Sequence, residues 1–503
     1  MPSTRPIWQE VPAGLTTKTD IPGSCDVCVV GAGIAGLSVA YSLARAGRKV
    51  VVLEARAVGA GMTSHTTAHL SCVLDDRFAS VIKVRGEETA RLGAKAHRTA
   101  IDFIEQAAQR EGIDCSFKRL DGYLVAATEK DNDTLDQEFD AARKLGIDCE
   151  RLEAVPGGFR GDRCLRFPGQ GRFEPMAYLS GLARAIARHG GVIATGARVE
   201  SVEDGTPCTV KVGGRELTAA AVVVCTNSPV NDRVAIHTKQ FPYMTYVVGL
   251  GVKPGQAPDA LIWDTLDPYH YVRLAGKPAA DGTDTLIVGG EDHKTGQASD
   301  GEERFARLES WARGRFAGLG AVTHRWAGQV LETLDGLAYI GQNPGDERVY
   351  VATGDSGMGM THGTVAGILI PELIATSDHP WKDAFSPSRK PVGGVTDFVS
   401  ENLNVAGEYV MGYLGGGDVS SVEDIRPGCG AVVRFGLHKV AVYREANGDF
   451  RGCSAVCPHL GAVVSWNDAT KTWDCPAHGS RFDKHGKVIQ GPANTDLERA
   501  YLK

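Results

Sequence analysis

Between Cys25 and Glu54 the chain reads as a short apolar run, a glycine-rich turn, a stretch of helix formers and a second apolar run. Asp26–Val30 and Lys49–Leu53 are short and almost wholly apolar, which predicts strands buried on both faces. Leu37–Ala46 between them predicts a helix, so the segment forms a βαβ unit of about 30 residues. Further strands are predicted at Val192–Val199, Ala220–Thr226, Thr245–Val252, Tyr269–Leu274 and Thr285–Gly289. A last one at Arg348–Ala352 leads through a glycine turn into a helix from about Thr361 to Ile374. The pattern is that of an α/β domain carrying a large inserted sheet. The final ~85 residues are short β segments punctuated by glycine, as in a small all-β module.

Two composition shifts place the boundaries. The first is Phe385–Gly394, rich in serine, proline and glycine, and the second is Gly415-Gly416-Gly417. They divide the chain into residues 1–385, a connector at 386–417 and residues 418–503. Val395, Phe398, Val399, Leu403 and Val405 predict a connector that is partly helical and packs on a domain surface.

With 503 residues, the chain exceeds what one hydrophobic core usually supports. Its net charge of −7 excludes a basic footprint for nucleic acid. No apolar run approaches the ~20 residues of a membrane span, and Met1–Glu10 lacks the apolar core of a secretory signal. A cytoplasmic protein with reduced thiols is therefore expected, and its 12 cysteines need a reason other than disulfides.

Gly31-Ala32-Gly33-Ile34-Ala35-Gly36 closes a strand and opens a helix, and Glu54 ends the next strand. The first glycine permits the tight turn, the second lets backbone approach a pyrophosphate, and the third lets helix and strand pack closely. The helix N-terminus favours the phosphates, and Glu54 accepts hydrogen bonds from a ribose. A dinucleotide site is the expectation.

A second site lies near the C-terminus. Cys457-Pro-His459 and Cys475-Pro-Ala-His478 each supply one thiolate and one imidazole. Two cysteines on one iron and two histidines on the other make up the ligand set of a Rieske [2Fe–2S] cluster. Structural zinc is the competing reading, although zinc fingers usually pair their cysteines first and their histidines second.

These loops resemble the Rieske family, including Trp466-Asn467, Trp473-Asp474 and Gly491-Pro492-Ala493. Ala462 and Ala477 stand where many relatives carry a bracing disulfide. Ser480 matches the family serine that bonds to a cluster sulfur, and Phe482 replaces the tyrosine of high-potential members. The resemblance implies a lowered reduction potential.

Residues 25–378 resemble the family of D-amino-acid, glycine and sarcosine oxidases, through Gly59–Ala68, Val222–Asn227, Arg325–Gln329, Asp335-Gly336 and Ala352–Met360. The implied architecture is a Rossmann-like α/β FAD-binding domain with a large inserted antiparallel sheet, followed by a small all-β Rieske domain. The resemblance implies FAD as cofactor, held by Gly31, Gly33, Ile34, Ala35, Gly36, Glu54, Ala55, Arg56, Thr66, Thr67, Ala68 and Val199. Thr226, Asn227, Gly354, Gly357, Met358, Gly359 and Met360 complete that set. Asp267–Arg273 and Gly289–Gly296 resemble stretches of FAD/Rieske oxidoreductases, and place catalytic candidates Tyr269, His270, Arg273 and His293 in a substrate pocket. His293 is the expected proton acceptor, because imidazole titrates near neutral pH; ordinary sheet packing is the competing reading for all four.

The chain departs from amino-acid-oxidising relatives at Thr66-Thr67-Ala68, where they often place an arginine. Met360-Thr361 stands where sarcosine-type enzymes carry a lysine. A simple α-amino acid is therefore not the expected substrate. The implied function is oxidation of a small-molecule amine at a C–N bond. Electrons from the flavin pass singly through the cluster to an external acceptor. The alternatives are a cluster that feeds the flavin or a partner enzyme, and a redox sensor.

Three further features have plainer readings. Cys25 and Cys28 have redox-motif spacing at the start of a buried strand, where small apolar packing suffices. Cys453 is a structural thiol beside a complete ligand set. His65, His69 and Asp75 could form a mononuclear iron site, with flavin-phosphate packing as the alternative.

Overall fold

The computed structural model describes residues 3–8, 20–161, 163–230, 236–279, 281–390, 403–405, 407–409, 412–436 and 438–500. The chain enters the fold through β1 (Ser24–Val30), α1 (Ile34–Arg45) and β2 (Val50–Glu54). Then come α2 (Glu87–Glu111), β3 (Lys118–Val125), β4 (Cys164–Arg172), β5 (Val192–Thr195) and β6 (Arg215–Val224). The inserted sheet adds β7 (Gln240–Val252), β8 (Leu261–Asp264), β9 (His270–Leu274) and β10 (Asp284–Lys294). Next are α3 (Gly301–Arg315), β11 (Val322–Thr333), β12 (Val349–Thr353) and α4 (Gly359–Thr376).

Strands β12, β6, β1, β2 and β5 lie side by side in parallel, with Tyr339–Gln342 antiparallel on the edge. Val27–Val30 of β1 and Val50–Leu53 of β2 are apolar runs because α1 and its neighbours cover one face and a second apolar cluster fills the other. The second sheet runs β11-β7-β10-β9-β8-β3-β4, antiparallel except where β8 pairs with β3. One face packs under α3, with Phe305 and Leu308 on Tyr246 and Val248. The other face is left for the site.

One predicted strand is broken. Val192–Val199 splits at Gly196 (φ +68°) into β5 and Val199–Glu203. The Gly196 and Ala197 amides bond to the Arg56 and Glu54 carbonyls, at 3.1 and 2.9 Å, which bends Ala197, Arg198 and Val199 over the end of β2.

After the connector come β13 (Gly430–Phe435), β14 (His438–Arg444) and β15 (Phe450–Ser454), a three-stranded sheet. A second sheet is built from β16 (Ser465–Asn467), β17 (Thr472–Asp474), β18 (Arg481–Asp483) and β19 (Val488–Gln490). Of the apolar connector residues, Leu403 and Val405 fall in a helical turn at 403–405, while Val395, Phe398 and Val399 lie outside the described residues. None of the twelve cysteines is joined in a disulfide, and Cys28 and Cys453 are buried in apolar clusters. Among the described residues no helix is long and apolar enough to cross a membrane.

Candidate functional site

At the end of β1 the chain must turn at once into α1. Gly31 (φ +103°) makes the turn, and a Cβ there would lie 2.5 Å from the Cys225 carbonyl oxygen. A Cβ on Gly36 would overlap the Gly31 carbonyl, so only glycine lets α1 lie this close to β1. The N-cap position, Gly33, offers no capping side chain, and Gly33, Ile34 and Ala35 border a cavity of about 310 Å³. A helix N-terminus presented in this way favours a phosphate.

Glu54, Ala55 and Arg56 line the same cavity. The Glu54 carboxylate accepts the Ala32 and Arg56 amides at 2.9 and 2.8 Å, which fixes it at the mouth of the turn. Thr66, Thr67, Val199, Thr226, Asn227, Gly357, Met358, Gly359 and Met360 continue the wall. The Asn227 side-chain nitrogen is buried without a hydrogen-bond partner, an orphan donor that fits a bound polar cofactor. Gly36, Ala68 and Gly354 stand behind the wall. Gly36 sets the helix–strand distance, while Ala68 (φ +58°) and Gly354 (φ +70°) turn the backbone.

Farther along, the cavity is bordered by Trp263, Tyr269, Tyr271, Asp75, Asp292, Glu332 and Asp355. The Tyr269 hydroxyl donates to Asp75 Oδ1 at 2.8 Å, and Tyr271 and Thr245 share a hydrogen bond of 2.7 Å. Burial pushes Asp75 up to about 8, with repulsion from neighbouring carboxylates adding to it. Burial likewise pushes Asp292 and Asp355 up to about 6, and Glu332 well above the carboxylate range.

Of the four catalytic candidates, only Tyr269 reaches the cavity. Successive strand residues point to opposite faces, and the two histidines have the wrong parity. His270, between Tyr269 and Tyr271, stacks on Trp311 of α3 at 4.5 Å and bonds to Asp264 at 3.0 Å. His293 follows Asp292 and stacks on Tyr246, sharing hydrogen bonds with its hydroxyl at 3.0 Å and with the Lys294 carbonyl at 2.8 Å. Arg273 lies on the side of Tyr271 but is fully buried, donating to the carbonyls of Thr67, Phe173 and Leu274. Tyr271, Asp292, Asp75 and Glu332 line the cavity instead. Alternation counted from Tyr269 points to Tyr271, whereas nothing local marks Glu332.

His65 and His69 hold backbone rather than a metal. His65 Nδ1 lies 3.2 Å from the Gly61 carbonyl, and His69 sits between Thr67 Oγ1 and the Val272 carbonyl. Among the described residues no three His, Cys, Asp or Glu side chains converge as a single-ion cage.

At the cluster loops, the Gly461 and Gly479 amides bond back to the Cys457 and Cys475 carbonyls at 2.9 and 3.1 Å, giving two matching turns. The Cys457 and Cys475 side chains lie next to each other, and the His459 and His478 rings meet edge to face at 5.1 Å. Amides of His459, Leu460, Ala477 and His478 point at the sulfurs, and the Ser480 hydroxyl reaches Cys457. Donors aimed at thiolates fit an anionic iron–sulfur cluster. Ala462, Ala477 and Phe482 are buried in the core behind it.

The two sites touch. Gln329 of β11 lines the cavity, and its side-chain nitrogen donates to the Gly479 carbonyl at 2.9 Å, next to His478. The Gln490 side-chain amide donates to Gln329 Oε1, and Gln490 also lines the cavity. Gly479 packs on Pro242, and the His237 ring lies 5.1 Å from that of His459 and 6.2 Å from that of His478.

Comparison with known proteins matches residues 26–373 to the FAD dependent oxidoreductase family and residues 417–500 to the Rieske [2Fe-2S] domain. The chain is 31% identical over 499 residues to the "Putative Rieske 2Fe-2S iron-sulfur protein YhfW" of Bacillus subtilis (strain 168), covering 97% of both. It is 28% identical to the gamma-glutamylputrescine oxidoreductase of Escherichia coli (strain K12), over 72% of this chain and 86% of that one. Glycine oxidase from Geobacillus kaustophilus shares the fold, with a TM-score of 0.60 at 20% identity over 73% of this chain and all of that one. The chain therefore belongs to the FAD dependent oxidoreductase family and carries a C-terminal Rieske domain, with FAD and a [2Fe–2S] cluster as its cofactors.

Proposed function

We propose that this chain oxidises a small-molecule amine at a C–N bond and releases the electrons one at a time through its Rieske domain to an external acceptor. The observation that carries this reading is Gln329, which lines the flavin cavity and holds the carbonyl beside His478. When bound, FAD supplies two-electron oxidation and the cluster a one-electron exit. Gly33, Ile34, Ala35, Glu54, Asn227 and Met358–Met360 would hold the FAD, and Cys457, His459, Cys475 and His478 the cluster.

The remaining chemistry belongs to the chain. Tyr269 holds Asp75 by its Oδ1, leaving Oδ2 beside the Gly357 backbone to take the amine proton. Pushed up to about 8, this carboxyl is mostly protonated at pH 7, so the ionised fraction that takes the proton grows as pH rises towards and past 8. The Escherichia coli relative, a gamma-glutamylputrescine oxidoreductase, supports the substrate class. For the external acceptor, the exposed large apolar side chains support a docking place. Among the described residues Tyr413 and Leu414 of the connector and Leu460 of the first cluster loop are exposed, and Tyr413 bonds to the Gly461 carbonyl at 2.7 Å.

The test is anaerobic mixing of the holoprotein with amines, following flavin and cluster absorbance together. Flavin bleaching first and cluster bleaching second supports the reading. A reduced carrier protein that bleaches the cluster before the flavin, with every amine inert, would establish the inward direction instead.

A further inference from the structure

We infer that the substrate end of the cavity is built for a dicationic amine, a diamine or polyamine that carries no carboxylate. The inference deepens the amine reading above and relies on it for the reaction, but not for the binding.

Asp75, Asp292, Glu332 and Asp355 bring four carboxyl groups to this end of the wall. Among the described residues that line the cavity there is no lysine. Its arginines, Arg56 and Arg198, lie at the nucleotide end beside Glu54. Arg273 offers nothing to a substrate carboxylate, because it donates to the Thr67, Phe173 and Leu274 carbonyls. Arg304 approaches Asp292 from behind the sheet, tied to Asp300 at 2.7 Å and to the Glu291 carbonyl at 2.7 Å.

A second observation points to a ligand. Asp292 Oδ1 is buried and has no hydrogen-bond partner. A buried acceptor left unmade is costly, and four carboxyls crowded together repel one another when ionised. A cation removes both penalties, and two cationic ends remove more than one. A substrate carboxylate would add to the repulsion. Trp263, Tyr269 and Tyr271 supply aromatic surface for a methylene stem and for an ammonium group.

The test titrates the oxidised holoprotein with n-butylamine, putrescine and γ-aminobutyrate, reading the perturbation of flavin absorbance, and then follows anaerobic reduction by each. Putrescine is expected to bind about tenfold more tightly than n-butylamine, with γ-aminobutyrate weakest. Asp292→Asn and, separately, Asp75→Asn should bring the ratio of putrescine to n-butylamine affinity towards one. FAD content and the cluster spectrum report whether each variant has folded. Equal affinity for putrescine and n-butylamine, tighter binding of γ-aminobutyrate, or a preference unchanged in both folded variants overturns the inference. Tight putrescine binding with no flavin bleaching by any amine upholds the dicationic site and overturns the amine-dehydrogenase reading. Bleaching by amines without a putrescine preference does the reverse.

Discussion

The side-chain nitrogen of Gln329 donates to the carbonyl oxygen of Gly479 at 2.9 Å, across 150 residues of sequence. One end of this contact lines the flavin cavity and the other follows a cluster ligand. Gln329→Leu removes the donor and leaves three buried groups, on Thr295, Gly479 and Gln490, without this partner. The expected loss in domain docking is about 1–3 kcal/mol. In stopped-flow absorbance, cluster bleaching should lag flavin bleaching by roughly tenfold more than in wild type, while flavin bleaching itself holds its rate. Unchanged cluster kinetics would remove this contact from the electron route.

Phe482 is wholly buried in the cluster domain's core, where a phenol could offer a hydroxyl to a sulfur. Phe482→Tyr is expected to raise the midpoint potential by roughly 50 mV, the one-electron equivalent of a hydrogen bond of ~1 kcal/mol. A redox titration followed by the cluster's spectrum measures it, and an unmoved midpoint would count against sulfur hydrogen bonding as the lever.

Asp75 ties the cavity to pH. Its folded-state carboxyl is pushed up to about 8 by burial, while an unfolded aspartate titrates near ~4. The native protein therefore holds this proton more tightly. The stabilisation is complete below about pH 4 and is lost as pH rises to about 8. Asp75→Asn keeps an acceptor for Tyr269 but abolishes the titration. In the substrate-free protein, the variant's stability relative to wild type should grow by at least ~1 kcal/mol over that window and then level off. Thermal melts at a series of pH values check it, and a constant difference would refute the shift.

His293 stands on the helix side of its strand, against Tyr246, rather than over the cavity. His293→Ala is therefore expected to leave the rate of flavin reduction within about twofold of wild type. It should cost ~1–2 kcal/mol of stability through the lost stacking and hydrogen bond. A large fall in flavin reduction, measured anaerobically with FAD still bound, would return His293 to the list of proton acceptors.

Some of this architecture is written in short-range pattern. The turn at Gly31, the close pass of Gly36 and the carboxylate of Glu54 belong to one βαβ unit whose parts are neighbours in the chain. The cluster ligands are equally local, since each Cys–His pair sits on one tight loop. In both places chain connectivity allows little freedom, so spacing carries the geometry. Gly196 shows where that ends: an apolar run there predicts one strand, but the amides of Gly196 and Ala197 bond to the end of β2 and bend it into two.

Local spacing along the chain therefore carries the two cofactor-binding modules, their order and the residues that turn their loops. Which face of the inserted sheet became the cavity depended on packing between distant elements. Alternation along β9 and β10 is visible in the chain, but a change of one residue exchanges His270 for Tyr271 and His293 for Asp292. That parity is set by α3 packing on the opposite face. The contact of Gln329 with Gly479 and the gathering of Asp75, Asp292, Glu332 and Asp355 likewise join residues that meet only when distant elements pack.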